Sequence, residues 1–531
     1  MSALLCILAL GFVLRLAFLS GYATDDMAHL CFVNFKRNQP SAFDNTPKDS
    51  VIPGILGYPM LSHRIISRFP RRMWKAAGKL LNIGYDLVLI VLTWVVARLA
   101  FPTAPNMPFS PADMAAFAVA TSPCLLPITA RIKSLGARTL GNVLVMGYLL
   151  SMWAAMAGNP LVFGPAAVLL GLVVIATSQF GIQAVVLSSP FIALFAWSWL
   201  PLAVVVTLLL ALAAACKINC RVCRGLRGNV AHMVEHKRWY RRNAQQGTTA
   251  MWRNRFRDLL DLPRLWITNK DVFFGVLFRR NTYIIALYSF PLFWVAAAVA
   301  WQRRLSPAPG NLIDFCLAVV FAMTCIFFLT STKRLSFLGQ AERYFEYAVP
   351  FASIILAQQL ATQGFSPRLA LCIITWQITF TVANLAYTHF ASIKSALTLE
   401  SEDGVVKYLN DHSGMRILTI PMKLANYYSC MSDGGNAYYF KLLIHSKHGM
   451  SHRDKEMPWL EMPCKDLAYF HREYGIDTII IQKSFLIKME QEHHIDYDFS
   501  NYNVVYDDEL YTVYKICTEQ LDVAQSPDAQ E

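Results

Sequence analysis

Apolar runs of about twenty residues recur along the chain up to residue 389, and polar residues return to ordinary density only after about residue 400. A run of that length crosses ~30 Å of hydrocarbon at ~1.5 Å of rise per residue. Only helices or closed barrels satisfy every backbone group in lipid, and the runs show no strict alternation, so they predict helices. The candidate spans are 2–20, 82–100, 111–129, 139–157, 161–177, 180–198, 200–216, 282–301, 311–331, 346–363 and 368–389. That is about eleven, an odd number that puts the two termini on opposite sides. The opening MSALLCILALGFVLRLAFLS has no basic leader and carries Arg15 in its core, so it reads as a retained first helix rather than a cleaved signal.

Three segments fall outside this pattern: the loop at about 21–81, a loop at about 217–281 rich in Arg, Lys and Trp, and the C-terminal stretch. In the last, GVVKYLNDH reads as a helix, RILTIP and GIDTIIIQK as strands, and YNVVYDDELYTVYKI as a hairpin turning near Asp507-Asp508. The expected organisation is a membrane domain over 1–395, a small soluble α/β domain over 396–520 and a disordered polar tail over 521–531. The α/β stretch has no Gly-rich nucleotide fingerprint, so its fold class supplies no activity.

Composition agrees with the pattern. Of 531 residues, 55% are hydrophobic and 16% charged, against about 25% charged in soluble domains, which excludes a soluble globular protein for most of the chain. The twelve cysteines are scattered, several within apolar runs, which argues against a disulfide scaffold. Cys216, Cys220 and Cys223 match an iron–sulfur spacing, but they sit at a helix exit with no supporting pattern around them. Net charge is +13, which serves either headgroup anchoring or phosphate binding. With eleven spans the loops 21–81, 130–138, 217–281 and 332–345 share one side, and all are basic, contrary to a simple positive-inside rule. Phosphate binding on an outer face would reconcile the two.

Candidate chemistry concentrates at the loop ends. In GYATDDMAHL, Asp25 and Asp26 stand where the first helix meets the surface, followed by His29. Paired carboxylates there can take a proton from a hydroxyl or orient a cation on a phosphate; equally, they can cap helix ends. STKRLSFLGQAERYFEYAVPF brings Lys333, Arg334 and Arg343 as fixed cations, with Tyr344 beside them. Glu342 and Glu346 are spaced i, i+4 for one helix face; phosphate recognition and interfacial anchoring are both open. RIKSLGAR crowds Arg131, Lys133 and Arg138 into one loop. Asp86 lies inside the second span, where an ionisable group is either functional or partnered, and a neighbouring Arg is the simpler partner. FPRRMWKAAGKLL, with Arg71, Arg72, Lys75 and Lys79 beside Trp74, predicts a basic amphipathic helix in the interface. The basic-aromatic pieces EHKRWYRR and MWRNRFRDLLDLPRLW suit lipid headgroups better than nucleic acid beside a membrane. His493 and His494 stand in an acidic, surface-like stretch.

The order of these features resembles the GT-C class of integral membrane glycosyltransferases, similar to the protein O-mannosyltransferase and bacterial aminoarabinose transferase families. It runs from a first helix through the acidic pair (Asp25, Asp26) opening a long loop with amphipathic helices, then a large loop after about the seventh span, ERYFEYAVPF entering a late helix, and a small α/β domain. The resemblance implies an α-helical polytopic membrane protein of about eleven spans with an extracytoplasmic α/β domain. It also implies sugar transfer from a polyprenyl-phosphate donor to a glycan, lipid or protein acceptor, with inversion. Asp25 or Asp26 would be the base or acceptor-orienting group. Arg343, Lys333, Arg334 and Arg131 would hold the lipid phosphate, with His29, Asp86, Glu342 and Tyr344 supporting. A divalent cation (Mg or Mn) is compatible but not required by these residues. The second outward loop lacks the acidic residue often found there in the class. The chain also has no WWDYG-like oligosaccharyltransferase signature, which speaks against en bloc transfer. A flippase or transporter for a lipid-linked saccharide would need the same basic grip without the carboxylate; a non-catalytic scaffold would need neither. No N-x-S/T acceptor occurs, which favours a bacterial inner membrane over the ER.

Overall fold

The computed structural model describes residues 2–19, 26–37, 47, 49–52, 54–101, 109–126, 135–245, 257–303, 308, 310–332, 334–339, 341–396, 403–433, 435–440, 443–445, 462–494 and 496–517. They divide into two units. One comprises Met1–Asp26, Pro59–Cys223 and His236–Ala396; the other comprises Met27–Tyr58, Arg224–Glu235 and Leu397–Glu531.

The first unit is helical. Its elements begin with α1 (Ser2–Ala17) and the first residue of α2 (Asp26–Arg37), then α3 (Leu61–Ile66), α4 (Trp74–Ala100), α5 (Pro111–Thr121), α6 (Arg138–Ala157), α7 (Pro160–Thr177), α8 (Gln179–Phe195) and α9 (Leu200–Ile218). After α10 (Cys220–Gln245) come α11 (Arg257–Thr268), α12 (Lys270–Gly275), α13 (Thr282–Ser289), α14 (Leu292–Gln302), α15 (Leu312–Thr330), α16 (Phe345–Ala361) and α17 (Pro367–Ala396).

Every predicted apolar run carries a helix, but the eleven spans are not all matched in length. Among the described residues six helical segments are long and apolar enough to cross a membrane: Arg71–Ala100, Arg138–Ala157, Pro160–Thr177, Leu200–Ile218, Leu312–Thr330 and Pro367–Tyr387. α13 and α14 together would make a seventh, bent by 73° at their junction. Proline accounts for the early end of α5 and for the break between α13 and α14. Ser110 caps α5 through a capping box with Asp113, and the helix ends where Ser122, extended at ψ 122°, precedes Pro123. The α13–α14 break falls at Phe290-Pro291, where Pro291 cannot donate to the preceding turn. α15 is the most enclosed of the six, with 78% of its apolar window buried, and α9, at 22%, the least.

α4 carries a buried polar stripe. Lys79, Asn82 and Asp86 are spaced i, i+3, i+7 and all are buried. Each meets a different element: Lys79 faces Asp26 at 3.5 Å, Asn82 Oδ1 accepts from Thr139 Oγ1 at 2.6 Å, and Asp86 pairs with Arg15 at 2.9 Å. The predicted interfacial helix around Trp74 and Lys79 is therefore the first part of a membrane helix, with Trp74 and Lys79 turned inward.

The second unit is α/β. Its five-stranded sheet runs β3 (Ala437–Tyr438), β2 (Arg416–Ile420), β5 (Thr478–Gln482), β7 (Tyr511–Ile516), β6 (Tyr502–Asp507); β3, β2 and β5 are parallel, while β7 and β6 form the antiparallel hairpin. β5 has no exposed residue, as its TIIIQ sequence requires of a strand covered on both faces. Helices α18 (Asp403–Asp411), α19 (Leu424–Met431), α20 (Leu467–Tyr474) and α21 (Lys483–His493) accompany the sheet. Separately, β1 (Gly54–Leu56) pairs antiparallel with β4 (Leu443–His445). The tail beyond residue 517 lies outside the described residues. Buried Asn436 fixes the start of the sheet, accepting from Met415 N–H at 2.9 Å and donating to Leu409 C=O at 3.0 Å. Asn436→Ala orphans both backbone groups and should cost about 1–3 kcal/mol, readable as a lower midpoint of thermal unfolding of the full chain.

Candidate functional site

The cluster from Asp26 to Tyr344 lies in the helical unit. Asp26 is fully buried. It opens α2 without capping it: Leu135 N–H donates to Oδ1 at 3.0 Å, and Lys79 Nζ stands 3.5 Å from Oδ2. Burial pushes its carboxyl above the usual carboxylate range, against the opposing pull of Lys79, the Leu135 amide and Lys75.

Three residues beyond Leu135, Arg138 begins α6 and forms an ion pair with Glu346 in the first turn of α16. Asn142, one turn along α6, donates to the other Glu346 oxygen at 3.2 Å. Gln179–Phe195 begins beside this pair because Ser178 caps it, accepting from Gly181 N–H, and because Gly141 of α6 has no Cβ, which would lie 2.7 Å from Ser178 Cβ. That close approach brings Phe180 into the cluster. The Arg138 guanidinium carbon stands 5.7 Å from its ring centroid and that of Arg343 4.7 Å.

Residues 341–344, which lead into the predicted span 346–363, form a 3-10 turn before the late helix. The i, i+4 helical spacing expected for Glu342 and Glu346 is thus broken, although both carboxyls are buried. Tyr344 donates to Gln183 Oε1 at 2.7 Å and packs edge-on to Phe180, which pins the turn onto α8. Burial raises the Glu342 carboxyl; its own backbone amide, Arg343, Thr282 and Arg138 oppose the shift. Its Oε2 has no hydrogen-bond partner among the described residues.

The site residues read from sequence therefore separate. Asp26, Arg343, Glu342 and Tyr344 fall within one framework, joined by Arg138 and its pairing with Glu346. Asp86 lies further along α4 as the partner of Arg15, the simpler of its two readings. Arg334 is exposed on the turn after α15 and takes no part in the cluster. His29 belongs to the other unit, where its ring meets Phe32 and Tyr58 edge-on. Asp25, Arg131, Lys133 and Lys333 lie outside the described residues. Phe180, Gln183 and Asn142 were not singled out by sequence; a phenylalanine in an apolar run carries no signal. Among the described residues no three His, Cys, Asp or Glu side chains gather as a metal ligand set. Asp26 faces Lys79 and Glu346 faces Arg138, so neither carboxylate is set up for a divalent cation, and the Cys216 to Cys223 group forms no such set either.

No protein-family model matches the chain, and no curated protein matches its sequence. Among the solved structures similar to this chain are two from Archaeoglobus fulgidus. One is an oligosaccharyltransferase complex with Zn and sulfate, with a TM-score of 0.50 at 12% identity over 92% of this chain and 68% of that one. The other is the oligosaccharyltransferase AglB with an inhibitory peptide and a dolichol-phosphate, with a TM-score of 0.51 at 12% identity over 92% and 70%. At this identity the likeness is one of fold alone, and it singles out neither the O-mannosyltransferase nor the aminoarabinose transferase family.

Proposed function

We propose that this chain is an integral membrane glycosyltransferase that moves a sugar from a polyprenyl-phosphate donor to an acceptor hydroxyl on the extracytoplasmic face, with inversion. The observation that carries this reading is the short 135–138 segment. One end holds the buried Asp26 carboxylate through an amide, and the other begins α6 with Arg138, which, like Arg343, stands against the Phe180 ring. The fold likeness supports it, since AglB was solved with a dolichol-phosphate, a lipid phosphate of the kind inferred here.

The acceptor oxygen attacks the anomeric carbon while the carboxylate of Asp25 or Asp26 takes its proton. The bond from that carbon to the phosphate oxygen breaks, and the electron pair leaves on the polyprenyl phosphate. Arg343 and Arg138 stabilise that charge as it develops, in a setting of low dielectric where fixed cations act strongly. None of these steps runs through a metal, and a divalent cation (Mg or Mn) is compatible with them.

Purified protein in lipid, offered a panel of polyprenyl-phosphate sugars, should release free polyprenyl phosphate in step with transfer. Arg343→Ala should lower kcat/KM by about 10²–10³. Equal turnover by wild type and Arg343→Ala overturns the phosphate assignment. A second reading is favoured by the 73° bend at Phe290-Pro291, a broken span of the kind transporters use. Movement of an intact lipid-linked saccharide across the bilayer without phosphate release would select it.

A further inference from the structure

We propose that Cys216 and Cys223 form a redox pair, a dithiol that closes to a disulfide and locks the corner between the membrane helix α9 and the basic helix α10. In one continuous helix these residues would lie two turns apart, about 10 Å along the axis, out of reach of each other. The structure breaks the helix at Asn219, which is extended at φ −133° and ψ 105°. Its amide closes α9 on Ala215 C=O at 2.8 Å, and its side chain caps α10, accepting from Arg221 N–H at 3.0 Å. One residue thus ends one helix and starts the next. The turn brings the Cys216 thiol, from the end of α9, into a hydrogen bond with that of Cys223 in the first turn of α10.

Access agrees with this reading. Cys223 is exposed and Cys216 partly so, whereas Cys31, Cys124, Cys316 and Cys430 are buried beyond the reach of an oxidant. The oxidant is an external disulfide. One thiol gives up its proton, forms a mixed disulfide and expels one thiolate; the second thiol attacks that bond and expels the other. Both cysteine sulfurs are oxidised, and the external disulfide takes up the two electrons and two protons as a pair of thiols. The closed ring over residues 216–223 forbids the straight helix, so oxidation keeps the bent form. In the cell the pair needs an oxidising side. The reading above puts the loop at 217–281 there together with that at 21–81, and the pair's use in the cell rests on that placement.

The test equilibrates the full chain in lipid nanodiscs with mixtures of reduced and oxidised glutathione, then quenches with acid, blocks free thiols and digests with trypsin. Cleavage after Lys217, Arg221 and Arg224 puts Cys216, Cys220 and Cys223 in separate peptides, so a linked pair names its own members. Wild type should give the Cys216–Cys223 pair in oxidised buffer and lose it in reduced buffer. Cys220→Ser should leave that bond intact. Asn219→Ala removes the cap and favours the straight helix, and should lower the equilibrium constant for closure about fivefold. A bond from Cys220 to Cys223 instead, or glutathione on each cysteine with no internal bond, overturns the proposal, as does closure unaffected by Asn219→Ala. The same digest on protein quenched directly from cells tests the placement by itself. A pair that closes in nanodiscs yet is reduced in cells overturns the extracytoplasmic assignment and leaves the pairing standing.

Discussion

Asp26→Asn abolishes sugar transfer, and Asp25→Asn does so instead if the neighbouring carboxylate is the base; release of polyprenyl phosphate in the two variants decides. The expected loss for removing a general base is about 10²–10⁴ in kcat. Asparagine at 26 keeps an oxygen for the Leu135 amide but leaves the Lys79 ammonium, 3.5 Å away, without its charge partner. Some destabilisation therefore accompanies the change. The double variant with Lys79→Met removes that orphaned charge and should restore stability while activity stays lost. Recovery of both would make Asp26 a structural anchor only. The pH dependence follows from the same burial. The folded carboxyl titrates above its usual range, so the folded state binds a proton more tightly than the unfolded chain does. This group's contribution to stability is most favourable below the unfolded value and falls as pH rises through the shifted one. Activity runs the other way: a base must be ionised, so the acidic limb of kcat/KM lies above the ordinary carboxylate range and changes in Asp26→Asn.

Breaking the Arg15–Asp86 pair gives the largest expected loss of stability. Both side chains are fully buried, with Arg15 Nε 2.9 Å from Asp86 Oδ2. Arg15 also donates to the carbonyls of Gly11 and Ala120 at 3.1 Å, so one guanidinium ties α1, α4 and α5 together. Asp86→Asn or Arg15→Met alone strands a charge in a medium that cannot solvate it, at a cost of about 3–5 kcal/mol. Arg15→Met with Asp86→Leu removes both charges and should cost much less than the sum of the single changes. Thermal unfolding of the four proteins in one lipid mixture measures the cycle, and strict additivity would mean the pair does not act as a pair.

Much of this was legible because charge is scarce in apolar runs. Asp86 and Arg15 were conspicuous in spans, and Arg343 and Glu342 stood out at a span's start. That each apolar run carries helix followed from the runs alone, but the count and lengths of the spans did not. Whether α5 continues past Thr121, or α13 past Ser289, is decided by Pro123 and Pro291, each of which can end, kink or open a helix according to its neighbours. Strands β2, β5, β6 and β7 were readable from β-branched and aromatic runs between turn residues. The β1–β4 pairing was not, since GIL and LIH are three-residue segments far apart in sequence with no mutual pattern. Phe180 was invisible for the opposite reason to Asp86: it belongs to the commonest class in its surroundings, and its place against Arg138 and Arg343 appears only in the fold.

The register of β1 against β4, with the bridge between Ser50 and Tyr438, has a consequence for biosynthesis. Residues 27–58 leave the ribosome early, yet their pairing partners are translated only after the intervening helices have been made. Until then the early segment has unpaired strand edges and calls for a chaperone or a holding interaction. A stop codon near residue 396 would spare every helix of the first unit while denying this segment its partners. Early nascent chains should therefore be open to protease around Ser50 and Gly54–Leu56, and protection should arrive only once Tyr438 and Leu443–His445 have emerged.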